Sequence, residues 1–142
     1  MKIFFSGPLT NLANPDATKA FYEKMDTVAK KLGYETFWAY KSGTDPIKNP
    51  EVSPREVYDR DIKALESSDI MISYMTEPST GTGIEIEHAK EIEKPIVILY
   101  QKGIRVSRML RGCPAIKKEI VYQDESDALR KLESFLTAFS QP

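Results

Sequence analysis

Residues 69–85 read DIMISYMTEPSTGTGIE, and this stretch decides the fold that we expect for the whole chain. Ile70–Tyr74 is a short, mostly apolar run, which predicts a central strand. The residues that follow, Glu77–Gly83, are rich in Pro, Ser, Thr and Gly, which predicts a loop. A helix is then predicted to about Glu93. The stretch is therefore one strand–loop–helix unit of an α/β fold.

The same alternation of short apolar runs and longer amphipathic segments extends along the chain. The other predicted strands are Ile3–Ser6, Glu35–Ala39, Pro95–Tyr100 and a weak Glu119–Tyr122; the other predicted helices are Pro15–Leu32, Pro54–Ser67, Arg105–Arg111 and Ser126–Phe139. Such alternation implies a parallel sheet with helices on both faces. We expect a single flavodoxin-like or Rossmann-like α/β domain over residues 1–142, with five strands ordered 2-1-3-4-5.

Composition excludes several classes of function. The 142 residues carry 21 acidic and 20 basic side chains, a balance that argues against non-specific nucleic-acid binding and polybasic membrane attachment. The one cysteine, Cys113, cannot form a disulfide within the chain, which favours a reducing compartment. The apolar run Ile3–Phe5 is too short for a signal peptide or a membrane span. We therefore expect a soluble cytoplasmic protein.

The predicted strand order places a ligand site at one edge of the sheet. In open parallel sheets, ligands bind beyond the carboxyl ends of the strands, at the point where the strand order reverses. Here that point lies between strands 1 and 3, so the loops Gly7–Asn14 and Met75–Gly83 are the candidate site. Residues 41–52 form a loop that is long enough to cover it.

Glu85 is the residue of this region with the clearest chemistry. Gly81 and Gly83 allow a ligand to approach the backbone, and free N–H groups at a helix start suit an anion such as phosphate. We expect Glu85 in the first helical turn, where the dipole favours its ionised form. A carboxylate there could attack the anomeric carbon of a sugar. The alternative is that Thr82 and Glu85 only form a capping box.

Further residues show a family resemblance. Gly81, Gly83 and Glu85 match a Gly-x-Gly-x-Glu stretch, Asp61 lies eight residues before Asp69, and the amino end reads IFFSGPL over residues 3–9. In these features the chain resembles the nucleoside 2-deoxyribosyltransferase superfamily, and within it the 2'-deoxynucleoside 5'-phosphate N-hydrolase branch. The resemblance runs from the first strand to about Gly112.

The resemblance implies a set of functional residues. Glu85 would be the nucleophile, and Asp61 would contact the nucleobase and give a proton to it. Ser79 would bind a 5'-phosphate, together with Ser107 from a neighbouring subunit of a homodimer or larger homo-oligomer. The other substrate-binding positions would be Ser6, Gly7, Gly81 and Gly83. The implied substrate is a nucleoside monophosphate or nucleoside, and no cofactor or metal is implied.

The sequence also departs from the family. A strand-1 tyrosine that orients the nucleophile is replaced by Phe4, and Tyr40, Tyr58 or Tyr74 could substitute for it. The hydrolase branch has a histidine near the end of strand 2, and this chain has none there. The only histidine, His88, is expected on a helix surface.

Alternative interpretations stay open at this point. Trp38 and Tyr40 could stack on a nucleobase or simply pack in the core. Arg108 and Arg111 could strengthen a phosphate site or remain solvated. The predicted function is hydrolysis of the N-glycosidic bond through a glutamyl-glycosyl intermediate. The rival functions are base exchange by a deoxyribosyltransferase and nucleotide binding without catalysis.

Overall fold

Strands and helices alternate along the chain in the computed structural model, which describes residues 1–141. The strands are β1 (Lys2–Ser6), β2 (Glu35–Trp38), β3 (Ile70–Tyr74), β4 (Ile96–Gln101) and β5 (Ile116–Tyr122). The helices are α1 (Pro15–Lys31), α2 (Pro54–Glu66), α3 (Thr80–Glu91), α4 (Arg108–Arg111) and α5 (Glu125–Phe139), with a 3₁₀ turn at Ala39–Lys41. The strands are all parallel, in the predicted order β2-β1-β3-β4-β5.

The two faces of the sheet have separate cores because successive strand side chains point in opposite directions. Ile3 and Phe5 pack with Ile72 on the face covered by α1 and α5. Phe4 and Met71 pack on the opposite face, against residues of α2 and α3. No helix among residues 1–141 combines the length and apolarity that a membrane crossing requires.

Three element boundaries differ from the predictions by three residues or more. Helix α3 begins at Thr80 rather than after Gly83, because the Ser79 hydroxyl caps it by accepting a hydrogen bond from the Thr82 N–H at 3.2 Å. Strand β5 is longer than predicted because its first half, from Ile116, also pairs with β4. Helix α4 is shorter than predicted and starts only at Arg108.

The loop of residues 41–52, which we call the covering loop, is attached to α1. Its Asp45 side chain is fully buried and forms an ion pair with Lys19 at 2.7 Å. The same carboxylate accepts hydrogen bonds from the N–H groups of Ile47 and Lys48. These contacts hold the loop beside the end of the sheet where the ligand site was predicted.

Candidate active site

A cavity of about 770 Å³ opens at the carboxyl ends of β1 and β3. Its wall includes residues of the loops after β1 and β3, the covering loop, α2 and the start of α3. Asp61 and Glu85 both line it, so we call it the carboxylate cavity. The structure thus places the cavity at the predicted switch point of the sheet.

The Glu85 carboxylate is oriented by β1 rather than by its own helix. The Ser6 hydroxyl, at the end of β1, donates a short hydrogen bond to Glu85 Oε2. Ser6 Oγ also lies 2.9 Å from Thr82 Oγ1, so three side chains form one polar group. Ser79, not Thr82, caps α3, so the capping-box interpretation of Thr82 and Glu85 is wrong.

The pKa of Glu85 shifts in the direction opposite to the prediction. Burial raises the pKa of its carboxyl to about 8, the negative charge of Asp61 adds to the rise, and the Ser6 hydrogen bond opposes it. Because α3 begins at Thr80, Glu85 lies in the second helical turn, where the helix dipole has little effect. Glu85 as a whole is partly exposed and lines the cavity wall. Burial therefore works against the ionised form of Glu85 that the helix start was expected to favour.

Asp61 faces the same cavity from α2 and is only 8% exposed. Its Oδ1 accepts a hydrogen bond from the Thr44 hydroxyl of the covering loop at 3.1 Å. Burial raises the pKa of Asp61 to about 6, against the opposing effects of Thr44 and Arg60. A carboxyl with this pKa exchanges protons near neutral pH, as a general acid must.

The anion-binding features of the cavity come from polar and backbone groups. Ser79, Thr80 and Gly81 line the wall at the start of α3, where the first N–H groups of a helix lack partners within the helix. No lysine or arginine of the described chain lines this cavity, whereas the carboxyls of Asp61, Glu77 and Glu85 do. A phosphate bound by a single chain would therefore depend on N–H and hydroxyl groups.

Two of the predicted site residues lie elsewhere. Gly83 and Ser107 line a second cavity, of about 800 Å³, between α3 and the segment around α4. The Ser107 hydroxyl caps α4 by accepting a hydrogen bond from the Leu110 N–H at 3.4 Å. Arg111 forms two hydrogen bonds with Glu119. Within one chain, Ser107 is therefore not brought to the carboxylate cavity.

Gly7, also a predicted binding residue, is required by a close contact. A Cβ atom at Gly7 would lie 2.5 Å from the Tyr22 hydroxyl oxygen. That hydroxyl is buried and donates to the Pro8 carbonyl oxygen at 2.9 Å. Glycine at this position therefore allows the loop after β1 to turn tightly over α1 and form one wall of the cavity.

None of the three candidate tyrosines orients Glu85. The Tyr40 hydroxyl donates to Glu23, and Tyr58 is 49% exposed. Tyr74 is buried in the core on the α1 and α5 face, opposite the face that α3 covers. Ser6 supplies the hydroxyl instead, a role that sequence reasoning missed because the two residues are 79 positions apart.

Trp38 and His88 have packing or surface contacts. Trp38 is 2% exposed and stacks on Phe5 and Tyr22, each with ring centroids 4.5 Å apart, and it also lines the carboxylate cavity beside Tyr40, so stacking on a nucleobase stays a prediction. His88 lies outside the wall of the carboxylate cavity and contacts Glu66 at 3.0 Å, as expected for a helix surface. Within residues 1–141, no group of three or more His, Cys, Asp or Glu side chains is arranged to hold a metal ion.

Comparison with known proteins identifies relatives of the whole chain. A protein of Thermofilum pendens named "Putative 2'-deoxynucleoside 5'-phosphate N-hydrolase 1" is 30% identical over 141 residues, which cover 96% of this chain and 95% of the relative. A 5-hydroxymethyl-dUMP N-hydrolase of Tetraodon nigroviridis is 30% identical over 118 residues, covering 79% of this chain and 80% of the relative.

The fold is also found among solved structures. The CMP N-glycosidase BcmB of Clostridium botulinum superposes with a TM-score of 0.74 at 23% identity, covering 95% of this chain and 99% of the other. The family model described as nucleoside 2-deoxyribosyltransferase matches residues 3–128, which include β1 from its second residue, the four other strands and every residue that lines the carboxylate cavity. The chain therefore belongs to the nucleoside 2-deoxyribosyltransferase family.

Proposed function

We propose that this protein hydrolyses the N-glycosidic bond of 2'-deoxynucleoside 5'-monophosphates, giving a free nucleobase and deoxyribose 5-phosphate. The observation that carries the proposal is that Asp61 and Glu85 face one cavity with separate pKa values, about 6 and about 8. Two carboxyls of unequal acidity provide an acid and a nucleophile for glycoside chemistry. The names of the relatives support a nucleotide substrate.

The reaction proceeds in two displacements. In the first, Asp61 gives its proton to the departing base, and a Glu85 oxygen forms a bond to C1' as the bond from C1' to the base nitrogen breaks. In the second, Asp61 removes a proton from water, and the water oxygen replaces Glu85 at C1'. Each displacement inverts C1', so the product retains the original configuration.

The productive state requires a proton on Asp61 and a negative charge on Glu85. In the free protein the pKa values favour the opposite distribution, with the proton on Glu85. A base placed over Asp61 would exclude water and raise its pKa, while the positive charge that develops at C1' would favour an ionised Glu85. Substrate binding would thus move one proton between the two carboxyls.

Phosphate binding is proposed to require a second copy of the chain. The carboxylate cavity has hydroxyl and N–H groups near Ser79 but no lysine or arginine from the described part of its own chain. Ser107 of a neighbouring subunit would complete the site, and Arg108 beside it would supply positive charge. We therefore propose a homodimer or larger homo-oligomer with shared active sites.

The direct test is base release from a panel of nucleoside and deoxynucleoside monophosphates, followed by chromatography. Glu85→Ala should lower turnover by about a thousandfold or more, since it removes the nucleophile. Glu87→Ala is a matched control, because Glu87 lies on the same helix but is exposed and outside the cavity wall. Near-full turnover by Glu85→Ala, or no base release by wild type from any substrate, would overturn the proposal.

The family membership favours one second candidate, transfer of deoxyribose between bases. Glu85 and Asp61 would have the same roles, but a second base would replace water at C1'. Incubation of a deoxynucleoside with a different free base distinguishes the two reactions: exchange without free sugar indicates transfer, and sugar release indicates hydrolysis. Tight nucleotide binding with neither product would indicate a binding module.

The chemistry of the two carboxyls needs no electron transfer or Lewis acid, so we propose that the enzyme uses no cofactor. The absence of any cysteine besides Cys113 suits a reducing compartment, and we propose a cytoplasmic location on that ground. Fractionation of the native host would test the location.

A further inference from the structure

The covering loop forms a hydrogen bond to Asp61 through the side chain of Thr44. We propose that Thr44 is a positioning residue, which holds Asp61 through Oδ1 so that Oδ2 carries the proton to the leaving base. This inference rests on the proposed role of Asp61 as the general acid. It assigns to the covering loop a part in proton transfer besides covering the cavity.

The Thr44 hydroxyl lies within hydrogen-bonding distance of two acceptors. Thr44 Oγ1 lies 3.1 Å from Asp61 Oδ1 and 3.2 Å from the Ala39 carbonyl oxygen. A hydroxyl has one proton to donate, so these two acceptors compete for it. Thr44 is 4% exposed and Asp61 8%, so water has little access to replace either bond. The more negative acceptor therefore receives the proton of Thr44.

This competition responds to the charge on Asp61. While Asp61 is neutral, its Oδ1 is a weak acceptor, and the proposal places its proton on Oδ2, for which no side-chain partner is found among the described residues. When Oδ2 releases that proton to the base, the carboxylate becomes anionic and the bond from Thr44 becomes charge-assisted. Thr44 keeps its own proton throughout. It stabilises Asp61 most strongly as the base departs.

The position of Thr44 depends on its neighbour Asp45. The Asp45 carboxylate is completely buried and is paired with Lys19 on α1. Removing the positive charge of Lys19 would leave a buried anion without its partner, at a large cost in free energy. The loop would then leave α1 and carry Thr44 away from Asp61. The ion pair between Lys19 and Asp45 thus helps to keep Thr44 in contact with Asp61.

Other titratable and charged groups lie near Asp61, and their effect on its pKa can be distinguished from that of Thr44. Glu85 faces it across the cavity from α3, and Arg60 adjoins it on α2. Asp61 shares the cavity wall with three further titratable side chains: Tyr22 of α1, Tyr40 of the 3₁₀ turn and Glu77 of the loop after β3. Substitutions at Thr44 leave all of these in place, so a changed titration of Asp61 can be assigned to the lost hydroxyl.

The test compares Thr44→Val, which removes the hydroxyl but keeps the shape, with Thr44→Ser, which keeps the hydroxyl. Carbon-13 NMR follows the Asp61 carboxyl through a pH titration without substrate. Thr44→Val should raise the Asp61 pKa above that of wild type and lower kcat about tenfold with little change in KM. Thr44→Ser should restore both. An unchanged Asp61 pKa in Thr44→Val would overturn the inference.

Lys19→Met tests whether the attachment of the covering loop to α1 affects the pKa of Asp61. It should increase hydrogen exchange of residues 41–52 and raise the Asp61 pKa in the same direction as Thr44→Val. A more mobile loop with an unchanged Asp61 pKa would overturn the link between loop and acid. The titrations are measured without turnover. An unchanged Asp61 pKa in the variants would therefore count against the role of Thr44 even if the wild-type protein releases base. A wild-type protein that releases no base would instead count against the proposed function.

Discussion

Two carboxyls of different strength are the central feature at the scale of single residues. Burial raises the pKa of Asp61 to about 6 and that of Glu85 to about 8, and each sits beside a hydroxyl that favours its ionised form. Because the two interact, the observed titrations belong to the pair rather than to either residue alone. The singly protonated pair is the state that can both protonate a base and attack C1'.

This predicts a bell-shaped dependence of kcat/KM on pH. Activity should fall below about pH 6, where both carboxyls are protonated, and above about pH 8, where no proton donor remains. Asp61→Asn should lower activity by about a hundredfold and abolish the alkaline decline, because only Glu85 then titrates. An alkaline decline that persists in Asp61→Asn would contradict the assignment of the acid.

The raised pKa of Glu85 also predicts an effect on stability. Its folded pKa of about 8 exceeds the ordinary 4.5, so the folded protein binds more protons than the unfolded chain between these values. The contribution of Glu85 therefore weakens stability as pH rises from about 4.5 to 8. Urea unfolding should show a smaller decline over this range in Glu85→Gln than in wild type. An equal decline of the unfolding free energy with pH in the two proteins would show that Glu85 is solvated and that its pKa is not raised.

At the scale of elements, the start of α3 decides the details of the site. The strand order and the pairing of Asp61 with Glu85 could be expected from sequence, since alternating apolar runs and family motifs specify them. The start of α3 could not, because Ser79 and Thr82 are both good caps and only the tertiary fold selects one. The predicted helix start placed Glu85 one turn too early and gave its pKa shift the wrong direction.

Contacts between elements that are distant in the chain could not be predicted from the sequence either. Ser6 and Glu85 come from β1 and α3, and Thr44 and Asp61 come from a loop and α2. Neither contact leaves a periodic signal, since each depends on how the elements pack. The loop after β1 is another such case, because Gly7 is required by the position of Tyr22 on α1.

The contact between β1 and α1 predicts a coupled pair of substitutions. Gly7→Ala should lower the free energy of unfolding by about 1–3 kcal/mol, because its Cβ overlaps the Tyr22 hydroxyl. In a Tyr22→Phe background the same substitution should cost less, since the hydroxyl is absent. Urea denaturation of the four proteins measures the coupling. Additive effects in the double variant would show that the overlap does not limit this turn.

At the scale of the whole molecule, the question is how many chains make one active site. The carboxylate cavity contains both carboxyls, while Ser107 caps α4 beside a second cavity of the same chain. In the proposed oligomer, a second copy of the chain brings Ser107 to the phosphate. The site would then be divided between chains, with the chemistry on one and part of the substrate binding on the other.

Mixing two inactive variants tests this division. Ser107→Asp keeps a capping carboxylate but repels a phosphate, and Glu85→Ala removes the nucleophile. In a mixed dimer one site combines both intact residues, so random mixing should recover about a quarter of wild-type activity. Glu85→Ala mixed with Asp61→Asn is the control and should recover none, since these residues share one cavity. No recovery from the first mixture would contradict a shared site.

The most direct measurement of the glycosyl-transfer chemistry is the mass of the protein after brief mixing with a deoxynucleoside monophosphate and quenching in acid. We predict a species heavier by one deoxyribose phosphate less one water, located by digestion to the peptide that carries Glu85 and absent from Glu85→Gln. Rapid base release by wild type with no such species, together with near-full turnover by Glu85→Gln, would contradict a covalent role for this carboxylate.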